Sequence, residues 1–254
     1  MNSIIDVHIH LNHYHEQDIE DIVNGDRALE ALIGVSYDLA SCIQNLTFSR
    51  KYHKVKPAFG WHPEQPLQSD HDFSQLLDWM TLNEQEMIAI GEVGLPYYLR
   101  KEGKIPLKGY LDRLEAFIRL ADKWQKPIIL HAIYDDAPLV CNLLEKYSIK
   151  RAHFHWFKGD QQTVARFIQN DYFISITPDV LYEEEIQKLV HQYPLERMMT
   201  ETDGPWQFEG PFRGQLTHPT MIHLSIKKIA EIKKRSIEEV YYQLHTNAKN
   251  FYQL

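Results

Sequence analysis

Eight short runs of apolar, mostly β-branched residues recur along the chain, separated by stretches with helical spacing, and this alternation limits the fold more than any other feature. The runs are IIDVHIH at 4–10, ALIGVS at 31–36, KPAFGW at 56–61, MIAIGEVG at 87–94, PIILHA at 127–132, RAHFHWF at 151–157, YFISIT at 172–177 and RMMTETD at 197–203. The clearest helical stretch spans 110–124, where Leu111, Leu114, Phe117, Ile118 and Ala121 share one stripe and Pro127 closes the pattern. Segments 135–147, 159–170 and 181–193 behave alike, and two further helices are expected over 218–234 and 236–252. Alternating strands and helices call for parallel pairing. Eight such units in 254 residues match an α/β fold, a (β/α)8 TIM-type barrel with an extra C-terminal helix, organised as one domain over 1–254. A doubly wound open sheet is the rival; it needs a glycine-rich phosphate loop after the first strand, and HIHLNHYH contains no glycine.

Composition narrows the chemistry. Hydrophobic residues make up 44% and charged residues 24%, which excludes a disordered or low-complexity chain. Cys42 and Cys141 form no CxxC pair, so a thiolate zinc knuckle and a thioredoxin-type redox site are excluded. The first residues lack the basic and apolar regions of a signal peptide, and no apolar run approaches the ~18 residues of a membrane span. The expectation is a cytoplasmic protein with no membrane contact and no obligate protein partner. A net charge of −8 argues against coating nucleic acid through a broad basic face. It does not exclude a nuclease, because bound divalent cations reverse the potential inside a cleft. Histidine is abundant, at 14 residues, and neutral imidazole is a favoured metal ligand.

The positions of those histidines matter more than their number. His8 and His10 stand two apart at the end of the first run, so a strand projects both to one side. Taken alone, an HxH pair is ordinary. Glu92, however, follows the continuously apolar MIAI, where a buried carboxylate must be paired or bound to a metal. His131, His155 and Asp203 end the fifth, sixth and eighth runs. A barrel gathers the C-terminal ends of its strands at one face, so these six metal-competent residues are expected to converge in one pocket.

In order along the chain, DVHIHL, GWHP at 60–63, IGEVGLPYY at 90–98, PIILH, HWFKG at 155–159 and TETDGPW at 200–206 resemble the motifs of the TatD family of metal-dependent hydrolases, amidohydrolase-like barrels that include TatD-type deoxyribonucleases. The likeness covers essentially the whole chain. It implies that His8, His10 and Asp203 hold one metal, His131 and His155 a second, and Glu92 bridges the two. It further implies two divalent ions per chain, drawn from Zn, Mn, Mg, Co and Fe, with Asp203 as general base and Glu92 as the other catalytic carboxylate. The substrate it implies is a phosphodiester, on DNA ends, single-stranded DNA or a nucleotide-containing molecule, cut as by a 3′-5′ exonuclease. The histidine of GWHP, here His62, is then a substrate contact. Three positions depart from the family pattern: Asn12 where HLD is usual, Pro96 in place of the acid of GLDYY, and Thr217-His218 in place of an Arg-Asn-Glu-Pro segment.

Other residues carry two readings each. His13 and His15 fit a solvated loop or a phosphate contact, and His153 a core position beneath the site. Tyr97, Tyr98, Trp156 and Trp206 can stack on a base or simply cover the barrel mouth. Lys158 and Arg213 are the cations expected to face a phosphate. Hydrolysis of an amide, lactone or other carbon ester is the alternative on the same barrel. Many such barrels bridge their metals with a carboxylated lysine, and Glu92 stands at that position here. A catalytically silent barrel is the third reading, and the presence of all six residues argues against it.

Overall fold

The computed structural model describes residues 3–103 and 105–254. Eight strands, β1 (Ile4–Ile9), β2 (Leu29–Gly34), β3 (Val55–Phe59), β4 (Ala89–Gly94), β5 (Ile128–His131), β6 (Ala152–Phe154), β7 (Phe173–Ile176) and β8 (Met198–Thr200), pair in sequence order. Each adjacent pair from β1 to β8 is parallel, as short apolar strands joined through helices require. Among the described residues ten α-helices accompany them: α1 (Glu16–Asn24), α2 (Leu39–Lys51), α3 (Asp70–Leu82), α4 (Tyr97–Glu102), α5 (Leu107–Trp124), α6 (Ala137–Lys146), α7 (Gln161–Gln169), α8 (Glu184–Gln192), α9 (Ile222–Lys233) and α10 (Ile237–Tyr252).

Local chemistry sets several of the helix starts. Asp38 and Ser41 form a capping box on α2, and Ser236 and Glu239 do the same on α10. Ser69 caps α3 and Asp160 caps α7. The apolar stripe of α5 is buried as its spacing predicts, through Leu114, Phe117, Ile118 and Ala121, while Leu111 stays partly covered. A large apolar layer lies between sheet and helices. A second, smaller cluster joins Ile5, Val7, Ile33, Ile129 and Met199 to Ala248, Phe251 and Tyr252 of α10. The extra C-terminal helix therefore helps fill the barrel interior.

The eight strands form a nearly closed barrel, and polar contacts join its two ends. The amide of Asp203 donates to the His8 carbonyl (2.9 Å), and the amide of His10 donates to the Gly204 carbonyl (2.8 Å). The buried Asp6 carboxylate accepts from the Thr202 amide (3.0 Å) and hydroxyl (2.5 Å). Two pairings are irregular: β1 against β2 between Asp6 and Ile9, and β4 against β5 between Ile90 and Val93. Gly94 lies against β5, where an added Cβ would collide with the His131 carbonyl, so a side chain there would force the strands apart.

Candidate metal centre

The ends of β1, β4, β5, β6 and β8 bring the six expected residues together. Glu92 stands at the middle and turns its two oxygens to different partners. Oε2 lies 3.1 Å from His8 Nε2 and 3.3 Å from His10 Nε2. Oε1 lies 2.9 Å from His131 Nδ1 and 2.6 Å from His155 Nε2. Asp203 Oδ1 joins the first group, 3.3 Å from His8 Nε2 and 3.4 Å from His10 Nε2. Irregular strand geometry contributes to this arrangement. Ile5 and Val7 belong to the interior cluster, so strict alternation would turn His8 away from it; the broken register between Asp6 and Ile9 resets the phase. Ala89 and Glu92 are related in the same way across the irregularity at Ile90–Val93. Asp203 and Trp156 both take left-handed backbone conformations, φ 50° and 36°. An aspartate adopts that region readily, whereas a bulky tryptophan is held there by its surroundings.

All six side chains are buried, and their polar atoms are poorly satisfied by protein alone. His8 Nδ1 and Nε2, His10 Nδ1, Glu92 Oε2, His131 Nε2, His155 Nδ1 and Asp203 Oδ1 lack hydrogen-bond partners. Burial would raise the Glu92 carboxyl, but the imidazoles of His155, His62, His8 and His10 outweigh it and hold it well below the carboxylate range. Burial likewise opposes the charge on Asp203, and His10 and His8 reverse the effect. Desolvation would lower His8 and His10, yet Glu92 and Asp203 raise both, His8 strongly. His131 rises to about 9 against its burial because Glu64 and Glu92 face it, whereas burial takes His155 down to about 4. Two buried carboxylates therefore favour positive charge between the rings of His8 and His10. A divalent cation would supply that charge in place of imidazole protons. Imidazole and carboxylate groups with unsatisfied buried atoms fit a metal, and the triad His8, His10 and Glu92 has its ligand atoms within 4.8 Å of one another.

A cleft of about 530 Å³ opens over this cluster, lined in part by His62, Tyr98, Trp156, Lys158 and Trp206. His62 Nε2 lies 3.4 Å from Glu92 Oε1, and its Nδ1 accepts from the Glu64 amide (3.1 Å). In the neutral ring the proton therefore sits on Nε2, facing the cluster. Lys158 Nζ lies over the Trp156 ring and 3.9 Å from Asp179. Trp206 is 54% exposed on the rim, and the Thr217 hydroxyl holds its carbonyl at 2.5 Å. Arg213 does not face the cleft: it is largely exposed and pairs with Glu209, four residues before it. Tyr97 is buried and only Tyr98 of that pair lines the cleft, while His13 and His15 are exposed. His153 lies below the site, bonded to Tyr252 (2.7 Å) and Ser175 (2.6 Å). Sequence reasoning passed over two carboxylates. Glu64 faces His131 from the cleft wall, and Glu201 accepts from Ser175 and the Trp156 amide under His155. Burial pushes Glu201 up to about 8. The TETD run did contain a signal for Glu201, since strand alternation over the sequence run 197–203 would turn 199, 201 and 203 to one side.

Residues 5–253 match the family model described as TatD related DNase. A metal-dependent hydrolase from Haemophilus influenzae is 35% identical over 253 residues, covering 99% of this chain and 100% of the relative. Deoxyribonuclease TATDN3 from Homo sapiens is 28% identical, over 97% of this chain and 93% of its own length. Among solved structures, YjjV, a TatD homologue from Escherichia coli, superposes with a TM-score of 0.84 at 21% identity, covering 100% of both chains.

Proposed function

We propose, because the chain belongs to the TatD related DNase family, that this metal-dependent hydrolase cleaves phosphodiesters on DNA ends, single strands or nucleotide-containing molecules. The reading takes 1–254 as a single barrel domain working in the cytoplasm. The observation that carries it is the division of the Glu92 carboxylate, one oxygen toward His8 and His10 and the other toward His131 and His155.

In this reading His8, His10 and Asp203 would hold one divalent cation and His131 and His155 a second, with Glu92 facing both groups. When bound, such a pair makes water a nucleophile near neutral pH and offsets the charge of a phosphodiester; Zn, Mn, Co, Fe and Mg are the candidates. Asp203 turns Oδ1 toward His8 and His10, and its carboxylate takes the proton of the attacking water. That carboxylate is ionised at neutral pH, as a base must be. His62 offers its Nε2 proton to a phosphate or leaving-group oxygen. Lys158, held by Trp156 and Asp179, provides a side-chain cation for phosphate, and Trp206 an exposed ring for a terminal base. The cleft of about 530 Å³ is lined by Lys158 and no other Lys or Arg among the described residues, which favours ends and short strands over continuous duplex.

The test loads purified protein with each metal in turn. It then follows a 3′-labelled single-stranded oligonucleotide beside a panel of lactones and amides. Release of labelled mononucleotide is expected. Turnover of a carbon ester or amide with an intact oligonucleotide would contradict the assignment.

A further inference from the structure

Glu64 touches His131, His62 and the cleft wall together. Its side chain is 13% exposed, and Oε1 stands 3.4 Å from His131 Nε2. The opposite ring nitrogen, Nδ1, faces Glu92 Oε1 at 2.9 Å and His155 Nε2 at 3.1 Å. His131 Nε2 has no hydrogen-bond partner of good geometry among the described residues, so Glu64 is the acceptor in reach. The same carboxylate accepts from the amides of Tyr98 (2.7 Å) and Leu99 (2.9 Å), where α4 forms the wall of the cleft. The Glu64 amide in turn donates to His62 Nδ1 (3.1 Å).

We propose that Glu64 is a positioning residue that accepts the Nε2 proton of His131, fixing the ring so that Nδ1 points at the second cation site, and that ties this ring to the Tyr98–Leu99 wall. The inference rests on the two-cation reading above. A histidine that ligates through one nitrogen is oriented and made more basic by an acceptor on the other, and loss of such an acceptor typically weakens metal binding by ~10–100-fold. The two backbone amides hold the carboxylate where it can serve both neighbours, and the 3.4 Å contact is expected to shorten once Nδ1 is engaged.

Calorimetric titration of metal-free protein with Mn²⁺ tests this on the wild type, Glu64→Gln, Glu64→Asp and Glu102→Gln. Glu102 also lines the cleft, so its substitution removes an equal charge nearby. Two sites are expected in the wild type. Glu64→Gln is expected to leave the first within about twofold and weaken the second by ~10–100-fold. Glu64→Asp, which keeps the charge on a shorter arm, falls between, and Glu102→Gln matches the wild type. In Zn²⁺-loaded protein, the downfield His131 ring N–H resonance should move upfield in Glu64→Gln. Wild-type affinity at both sites in Glu64→Gln, with an unmoved resonance, overturns the positioning role and leaves the two-cation reading intact. Equal weakening of both sites overturns it as well. A wild type that binds fewer than two ions overturns that reading and this inference together.

Discussion

Asp203 combines two properties that rarely coexist in a buried side chain: its charge is favoured, and its Oδ1, though turned toward His8 and His10, makes no hydrogen bond of good geometry. The imidazoles of His8 and His10 maintain the charge against desolvation. Replacing it by Asn preserves shape and removes the proton acceptor. Asp203→Asn is therefore expected to lower kcat by ~10²–10⁴-fold with an unchanged circular dichroism spectrum; a rate within about tenfold of the wild type would contradict its assignment as base. Residues of this kind were legible in the sequence because each interrupts an apolar run at a strand end, where an ionisable group needs a reason to be buried. Glu64 gave no such signal. It follows a proline in a loop, and its neighbours His131, Tyr98 and Leu99 are 34 or more residues away. Arg213 was misread for the opposite reason: a loop cation near Trp206 in sequence found its own partner in Glu209.

At the scale of elements, the join between β1 and the chain after β8 sets the geometry of three of the six residues, since the Asp203 amide donates to the His8 carbonyl and the His10 amide to the Gly204 carbonyl there. Asp6 pins that join through Thr202. Asp6→Ala leaves a buried amide and hydroxyl without an acceptor and is expected to cost ~1–3 kcal/mol, read as a lower denaturant midpoint; an unchanged midpoint would show that the join holds without it. A second contact links the α1–β2 loop to α9, where Asp26 Oδ2 lies 2.8 Å from His223 Nε2. Burial opposes the charge on Asp26, but the Ala28 amide and His223 prevail and hold its carboxyl below the usual value. A depressed carboxyl stabilises the fold above its unfolded pKa, ~3.9, and that contribution is lost as pH falls through the folded value. Acid unfolding curves of Asp26→Asn should accordingly show a smaller loss of stability below about pH 4 than the wild type; identical slopes would refute the contribution. Strand number and order could be read from the eight runs. The register breaks in β1 and β4 could not, because a bulge changes which face a residue presents without changing composition.

On the scale of the whole molecule, the barrel has a chemical mouth and an apolar floor. Phe251 and Tyr252 of α10 pack among the interior residues of the strands, and Tyr252 begins a hydrogen-bonded chain through His153 and Ser175 to Glu201 beneath the site. Phe251→Ala should destabilise the protein by ~3–5 kcal/mol, measured by chemical unfolding, as expected for a large core ring. A loss under about 1 kcal/mol would mean the floor is closed by other residues. The sequence announced this helix but not its purpose, since an apolar stripe does not reveal which surface it covers. At the mouth, the unsatisfied charge gathers on the two sides of Glu92. Anomalous diffraction from a crystal soaked in Mn²⁺ addresses it directly. Two peaks ~3.5–4 Å apart are expected, one beside His8, His10 and Asp203 and the other beside His131 and His155, with Glu92 between them. A single peak, or peaks away from Glu92, would contradict the account.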